Sequence, residues 1–338
     1  MSVPLRVSRP APDDAVGRYF AALSRLGVPC HVPFALVQAD GTVQWSVHDH
    51  AEVDGMGILA QQLESEGSEV PPFPVHRAAQ APGPLEGLRH VARYLRASDG
   101  RLEPWTARWR PEAAEPDRLT WVVLDEPTTA QLTAYADGRG ASLNSLLLWG
   151  LHQLPAMWRA GARAAGTWGV PVNLRGPVQL SDPRANHVSE MPVWLDSEAS
   201  VRDVHLAVRQ GLSDGRYWGP WWVMKQVGRL PDAGLDRFAA ARLRRRPEHR
   251  LGGLSYLGRW SGTPLVLGRA FAPPVDDNLP IGGGALVYNG RLSLGMRLHA
   301  PLVGDGLDTR AAMARWLRSM ETVSAVRIRP LFHGTARR

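Results

Sequence analysis

The hydrophobic period of the chain changes between Thr42 and Glu64, and this change constrains the fold more than any other feature. Residues 42–47 alternate apolar and polar side chains, which is typical of a half-buried strand. That strand would bury Val43, Trp45 and Val47. From residue 56 the apolar residues recur at spacings of three and four, which predicts a helix of two to three turns. The loop between the two elements holds His50, Asp54 and Gly55, and a rigid scaffold there can present an imidazole to a cavity.

Length and composition bound the class of protein. The chain has 338 residues, of which 44% are hydrophobic, so it can bury a large core and form two lobes. No apolar run approaches a membrane span, and residues 1–6 lack the apolar core of a signal peptide. Cys30 is the only cysteine, which excludes an internal disulfide and fits a reducing compartment. We therefore expect a cytoplasmic protein without a membrane span.

The net charge of +7 comes almost wholly from arginine. One cluster of these side chains could meet an acidic carrier protein or a phosphate group: Arg242, Arg244, Arg245, Arg246 and Arg250. A solvated helix end is the favoured interpretation of such a cluster. No zinc-ligand spacing or stacking-aromatic pattern accompanies it, so we do not expect nucleic acid as a partner.

Helices alternate with mostly separated strands along the chain, which predicts an α/β protein with mixed sheets. Asp40-Gly41 and Asn289-Gly290 are typical hairpin turns. A long apolar helix is predicted from Leu143 to about Ala160, with a kink at Pro155. Pro-rich and Gly-rich stretches near residues 65–116 suggest a division into residues 1–100, which carry the loop, and residues 117–338.

The stretch His50-Ala51-Glu52-Val53-Asp54-Gly55 resembles the His-x-x-x-Asp-Gly motif of the chloramphenicol acetyltransferase-like superfamily. That superfamily includes condensation domains of peptide synthetases and wax-ester-synthase-like acyltransferases. Further landmarks of the same superfamily follow in the expected order, at residues 141–148, 171–175, 186–188, 191–193, 254–258 and 288–294. The resemblance implies a two-lobed α/β fold with a cleft between the lobes.

The sequence departs from the superfamily pattern in three places. The usual His-His pair is Asp49-His50 here, and the altered residue is not the catalytic one. Only 49 residues precede His50, so we expect a shortened first lobe. The Asp-Phe-Gly-Trp-Gly element of the plant enzymes is absent.

The resemblance also implies roles for individual residues. His50 would be the general base, since the pKa of an imidazole lies near neutrality. Asp54 would pair with Arg175 and support the site together with Gly55, because a buried carboxylate without a cation is strongly unfavourable. Ser255 would donate a hydrogen bond to the developing oxyanion.

Other residues are candidates for binding substrate or for packing. His48, Asn186 and Tyr256 are predicted to contact substrate. His152, on an apolar helix, is expected to be a hydrogen-bonded core residue. Trp218, Trp221 and Trp222 could line an acyl tunnel, although aromatic residues at helical spacing usually belong to a core.

The predicted reaction is transfer of an acyl group from a thioester to an alcohol or amine, in a biosynthetic pathway. The co-substrate would be acyl-CoA or a phosphopantetheine thioester, with no permanently bound cofactor and no metal. Its partners would be a small-molecule acceptor and either a carrier protein or a second chain that completes the first lobe. Three alternatives remain open: a cyclase-like reaction, an inactive binding protein of the same fold, and a metal-dependent enzyme that uses His48 and His50.

Overall fold

The computed structural model describes residues 10–78, 80–98, 119–158, 165–244, 250–276, 279–303 and 308–336. Its helices are α1 Ala15–Arg25, α2 Gly55–Ser65, α3 Pro84–Ser98, α4 Glu126–Gly138, α5 Leu143–His152, α6 Val201–Ser213, α7 Trp218–Val227, α8 Asp232–Arg244 and α9 Thr309–Ser324. Its strands are β1 His31–Gln38, β2 Val43–Asp49, β3 Leu119–Leu124, β4 Gly166–Asn173, β5 Val188–Leu195, β6 Gly252–Trp260, β7 Val266–Phe271, β8 Ile281–Tyr288, β9 Arg291–Leu298 and β10 Pro330–Ala336.

The strands form two sheets. The larger sheet has the order β10-β3-β9-β8-β6-β4-β5 and is mixed, since β6 pairs parallel with both β4 and β8 while the other pairs are antiparallel. The smaller sheet has the antiparallel order β2-β1-β7, so a strand from late in the chain completes the sheet that leads into the motif loop. The predicted α/β class with mixed sheets is confirmed.

Two apolar cores hold the elements in place. The main core lies between the large sheet and its helices, and α5 is buried along most of its length. A smaller core packs α2 against the small sheet through Ile58, Leu59 and Leu63 on the helix and Phe34 and Phe271 on the strands. This second core fixes α2, and with it the start of the helix where the motif ends.

Local sequence signals explain several element ends. The hairpin between β8 and β9 turns at Asn289 and Gly290, with φ of 46° and 80°, as a two-residue turn of this type requires. Asp54, Asp125 and Ser142 each cap a helix by accepting a hydrogen bond from a backbone N–H of the first turn.

The structure corrects two predictions. Helix α5 ends at His152, and Pro155–Met157 forms a separate 3₁₀ turn instead of a kinked continuation. Proline lacks the N–H that would continue the helix. The predicted end at Ala160 lies outside the described residues.

Strand β2 buries a different face from the one expected. Trp45 and Val47 are 41% and 58% exposed, whereas Ser46 and His48 face Gln62 of α2. The reason is that β2 is an edge strand whose covered side is set by α2, not by its own most apolar residues.

Other predictions fall partly outside the described chain. The division near residues 100–117, residues 1–6, and Arg245 and Arg246 of the basic cluster all lie there. The division therefore stays a prediction. Within the described part, no helix combines the length and apolarity needed to cross a membrane.

Candidate active site

The motif loop is anchored at both ends by backbone hydrogen bonds. The N–H of His50 donates to the carbonyl of Cys30 at 3.1 Å, which extends the β1–β2 pairing by one residue. At the other end Asp54 caps α2, and its Oδ1 accepts from the N–H of Gly57 at 2.9 Å. The backbone of the motif loop is therefore held in place at both of its ends.

Asp54 and Arg175 form a buried, two-pronged ion pair. Nη1 and Nη2 of Arg175 donate to Oδ2 and Oδ1 of Asp54 at 2.8 and 2.9 Å, and both side chains are 7% exposed. The guanidinium also donates to the carbonyls of Pro183 and Ala185 and lies 4.4 Å from the ring centre of Phe73. This geometry uses the planar fork of arginine. The predicted contact between Asp54 and Arg175 is confirmed.

Among the residues that the structure describes, the ring of His50 has one polar contact, to its own loop. Nδ1 lies 3.1 Å from the carbonyl oxygen of Val53. A carbonyl only accepts, so Nδ1 carries the proton and the lone pair of the neutral ring resides on Nε2. Burial lowers the pKa of His50, against the opposing effect of the Asp54 charge. A neutral imidazole with a basic Nε2 results at neutral pH.

A cavity of about 250 Å³ opens beside this ring. Its wall is mostly apolar and combines residues of both halves of the chain, including Phe20, Met224, Leu254 and Ile281. Ser255 and Trp221 also line it. The structure therefore brings His50 and Ser255 to one cavity, and Trp221 of the predicted tryptophan set lines it too.

Structural comparison identifies the fold. No family model and no curated protein matches the sequence. The epimerization domain from the third module of tyrocidine synthetase B superposes with a TM-score of 0.51 at 17% identity, over 85% of this chain and 70% of that one. Polyketide synthase associated protein 5 from Mycobacterium tuberculosis gives 0.51 at 14% identity, over 86% and 76%. A mutant starter condensation domain of rhizomide synthetase, in complex with C8-CoA and Leu-SNAC, gives 0.51 at 13% identity, over 85% and 67%.

This chain has a condensation-domain fold. The fold is that of the chloramphenicol acetyltransferase-like superfamily, as the motif and the ordered landmarks predicted. At these identities the likeness establishes the fold alone.

In this condensation-domain fold, α1 packs directly over the ring of His50. The ring of Phe20 stacks on that of His50, with centroids 4.2 Å apart and planes 15° from parallel. Gly17 on the same helix permits the approach, because a Cβ there would lie 2.3 Å from the carbonyl oxygen of Ala51. Sequence reasoning missed Phe20, since the spacing of apolar residues along α1 is that of an ordinary amphipathic helix and marks Phe20 only as a core residue.

Asn186 holds the backbone of the motif loop. Its Nδ2 donates to the carbonyl of His50 at 3.0 Å and to Oδ2 of Asp14 at 2.9 Å. Asp14 is 1% exposed, and it also accepts from the N–H groups of Gly17 and Asn186. Asn186 is absent from the wall of the His50 cavity, so its observed contacts support the loop and not a bound substrate. Asp14 was also missed, since a helix cap alone gives no sign of a distant partner.

His48 and Tyr256 also differ from their predicted placement. Nε2 of His48 lies 2.9 Å from Oγ of Ser46, and its ring packs edge-on against Phe34. Tyr256 packs against the main core. Neither lines the cavity. The chain leaves the strand after Asp49, which separates His48 from His50, and successive residues of β6 alternate faces, which separates Tyr256 from Ser255.

Gly55 is required for packing and not for a turn. Its φ is not left-handed, but a Cβ would lie 3.0 Å from a methyl carbon of Leu257. Gly55 therefore supports the site by letting α2 approach Leu257 closely, and not by allowing the backbone to turn. Gly57 is tighter still, because its Cβ would lie 2.2 Å from the carbonyl oxygen of Arg184.

The remaining histidines do not gather around a common point. Among the described residues, no group of three or more His, Cys, Asp or Glu side chains is placed to hold a metal ion. His152 is a hydrogen-bonded core residue, as predicted, with Nε2 2.8 Å from the carbonyl of Asp196 and Nδ1 accepting from Trp168.

Proposed function

We propose that this protein is a condensation-type acyltransferase that moves an acyl group from a thioester to an alcohol or amine, with His50 as general base. The observation that carries the proposal is the state of that ring. The ring is half-buried and neutral, its Nδ1–H donates to the Val53 carbonyl, and it borders a mostly apolar cavity. A general base needs a free lone pair, and the neutral ring offers one on Nε2.

The proposed step conserves atoms and charge. Nε2 of His50 takes the proton of the acceptor O–H or N–H as that atom attacks the thioester carbonyl carbon. The tetrahedral intermediate collapses by breaking the C–S bond, and the imidazolium returns the proton to the leaving thiolate. Ser255, on the wall of the same cavity, is the proposed donor to the oxyanion.

The other motif residues support this step indirectly. The Asp54–Arg175 pair fixes the start of α2, and Asn186 and Phe20 fix the position of the imidazole. The carboxylate of Asp54 accepts hydrogen bonds from the guanidinium and from the first turn of α2. We therefore assign Asp54 a structural role and not one in proton transfer.

The proposed donor is an acyl thioester of CoA or of a carrier-bound phosphopantetheine. One structural neighbour was solved with C8-CoA and Leu-SNAC, which favours this class of co-substrate here. The acceptor would be a small alcohol or amine, and a carrier protein is the proposed macromolecular partner. A cytoplasmic location remains a prediction.

The test is a thiol-release assay on the purified protein. A panel of acyl-CoA esters and acylated phosphopantetheines is paired with alcohols and amines, and release of free thiol is followed together with the mass of the acylated acceptor. Acceptor-dependent release that disappears in His50→Ala supports the proposal. Release that persists undiminished in His50→Ala, or a wild-type protein that acylates no acceptor in the panel, contradicts it.

A further inference from the structure

A second, larger depression lies outside the catalytic cavity. It has a volume of about 840 Å³ and is formed by one face of α3 and the turn between α6 and α7. Its charged and aromatic wall residues are Glu86, Arg89, His90, Arg93, Asp214, Tyr217 and Trp218. We call this depression the α3 groove.

Two arginines on the α3 groove have no ion-pair or hydrogen-bond partner among the side chains of the described residues. Arg89 and Arg93 are four residues apart on α3, so they project from the same side of the helix. Neither makes an ion pair or a side-chain hydrogen bond to another described residue. Asp214, the acidic residue opposite, is already held by Arg216 at 2.9 Å. Glu86 is the other carboxylate on the wall, and its Oε1 lies 3.8 Å from Nε2 of His90. The two arginines outnumber this carboxylate, so the groove carries a net positive charge.

A buried imidazole lies between the two arginines in sequence. His90 is 8% exposed, and its Nδ1 is shielded from water without any hydrogen bond in the described structure. Gly215, at a φ of +64°, brings the facing backbone so close that a Cβ would lie 3.0 Å from Cε1 of His90. A buried polar atom without a partner is unfavourable, which favours a ligand that supplies one.

The α3 groove is next to the catalytic cavity. Tyr94 follows Arg93 directly and lines the His50 cavity. On α7, Trp218 lines the groove and Trp221, about one turn later, lines the cavity. The centroids of the two tryptophan rings are 5.3 Å apart in an edge-to-face contact, so the wall of the groove adjoins the wall of the cavity.

We infer that the α3 groove binds the phosphate of the pantetheine arm whose thioester enters the His50 cavity. This inference rests on the proposed function. Arg89 and Arg93 supply planar forks that match phosphate oxygens, and His90 supplies a ring N–H beside them. The same phosphate is present in CoA and in the arm of a carrier protein.

Direct binding tests this inference without turnover. Pantetheine, 4′-phosphopantetheine and CoA are titrated by calorimetry into the wild-type protein and into Arg89→Gln/Arg93→Gln. We expect the phosphate to improve wild-type affinity about tenfold or more, since each charge-assisted hydrogen bond contributes that order. The double variant should lose this advantage and bind pantetheine as the wild type does.

The matched control is Arg315→Gln/Arg318→Gln, which removes two exposed arginines from α9, away from the α3 groove. It should retain the full advantage of the phosphate. If CoA binds much more tightly than phosphopantetheine, the source is CoA; if the two bind equally, the source is a carrier arm.

Three results would overturn the inference: equal binding of pantetheine and phosphopantetheine, a phosphate advantage that survives in Arg89→Gln/Arg93→Gln, or no binding of any of the three ligands. The titrations are repeated in His50→Ala. Binding in His50→Ala should match the wild type, and arginine-dependent binding by a wild-type protein that acylates no acceptor would contradict the proposed function while leaving the phosphate site standing.

Discussion

His50 and Asp54 are four residues apart on one loop, yet their surroundings are opposite. Asp54 meets a guanidinium through both oxygens and caps a helix as well. His50 has one bond to a carbonyl, an aromatic face against Phe20, and an apolar cavity. Both carboxylate oxygens of Asp54 accept hydrogen bonds, whereas Nε2 of His50 has no described hydrogen-bond partner.

The difference shows that two residues of one loop can have different roles: Asp54 is placed to stabilise the fold, and His50 is placed beside a cavity. An ionised carboxylate in the interior needs a cation, so its partner was foreseeable from the residue type. A neutral imidazole tolerates an apolar environment, and burial there keeps it unprotonated. We therefore expect substitutions at the two positions to change different measured quantities.

The largest effect is expected for His50→Ala. Loss of a general base should lower the rate of acyl transfer by about 10²–10⁴-fold. The midpoint of thermal unfolding should change little in comparison, because the ring makes a single hydrogen bond. A drop in the unfolding midpoint of His50→Ala as large as that of Asp54→Ala would contradict the expected difference between the two positions.

Breaking the buried pair should mainly change stability. Asp54→Ala or Arg175→Ala leaves one charge buried alone, which costs about 3–5 kcal/mol in the free energy of unfolding, measured by urea titration. The control is Arg184→Ala, which breaks the exposed pair with Glu64 and should cost less than about 1 kcal/mol. The double variant should be far from additive. Additive losses would indicate that the pair does not act as one unit.

Acidification should separate rate and stability further. The folded-state pKa of His50 is lowered from 6.5, so the unfolded chain takes up the proton first as the pH falls below that value. The contribution to stability is present above 6.5 and is lost as the pH falls through the folded pKa. Transfer rate should be constant at neutral pH and decline only on the acid side of 6.5.

The comparison for this prediction is His50→Ala itself. Its free energy of unfolding should fall less than that of the wild type between about pH 7.5 and about pH 5, since one proton-binding site has been removed. If the free energy of unfolding falls equally in the two proteins, the acid sensitivity comes from groups other than His50.

A smaller effect is expected at Asn186. Asn186→Ala removes the bond to the His50 carbonyl and leaves part of the Asp14 carboxylate unpaired, which costs about 1–3 kcal/mol in unfolding free energy. If the residue positions the base, kcat should fall while KM for the acceptor stays near the wild-type value. A large rise in KM alone would instead restore the predicted role in substrate binding.

The smallest effect is expected at His48. Its ring is bonded to Ser46 and lies outside the cavity, so His48→Ala should change the transfer rate by less than about twofold. A loss comparable with that of His50→Ala would mean that the ring reaches substrate in the working enzyme.

The sequence allowed most of the scaffold to be predicted, because its signals are local. The period change around the motif, the Asp and Ser caps and the Asn-Gly turn each depend on neighbours within a few residues. The Asp54–Arg175 contact was predicted because the superfamily resemblance implies it, while charge burial by itself requires only that some cation pairs with Asp54. The buried face of β2 was not, because α2 decides it from outside the strand.

The parts of the site that escaped prediction are those supplied by distant segments. Phe20 and Asp14 appear in the sequence as an ordinary apolar position and an ordinary helix cap. Their contacts with His50 and Asn186 exist only after α1 has packed over the loop. Strand β10 was missed for a similar reason: it is an edge strand recognisable mainly by its pairing with β3.

The pairing of β1 with β7 has a consequence for how the chain folds. Phe34 lies beside Phe271, so the sheet below the motif loop cannot close until a strand near the other end of the polypeptide has been synthesised. Contacts of such large sequence separation must overcome the entropy of closing a long loop and slow the folding reaction. We therefore expect the motif loop to be among the last parts to become ordered. A nascent chain released before β7 would carry the whole motif and still lack a working site.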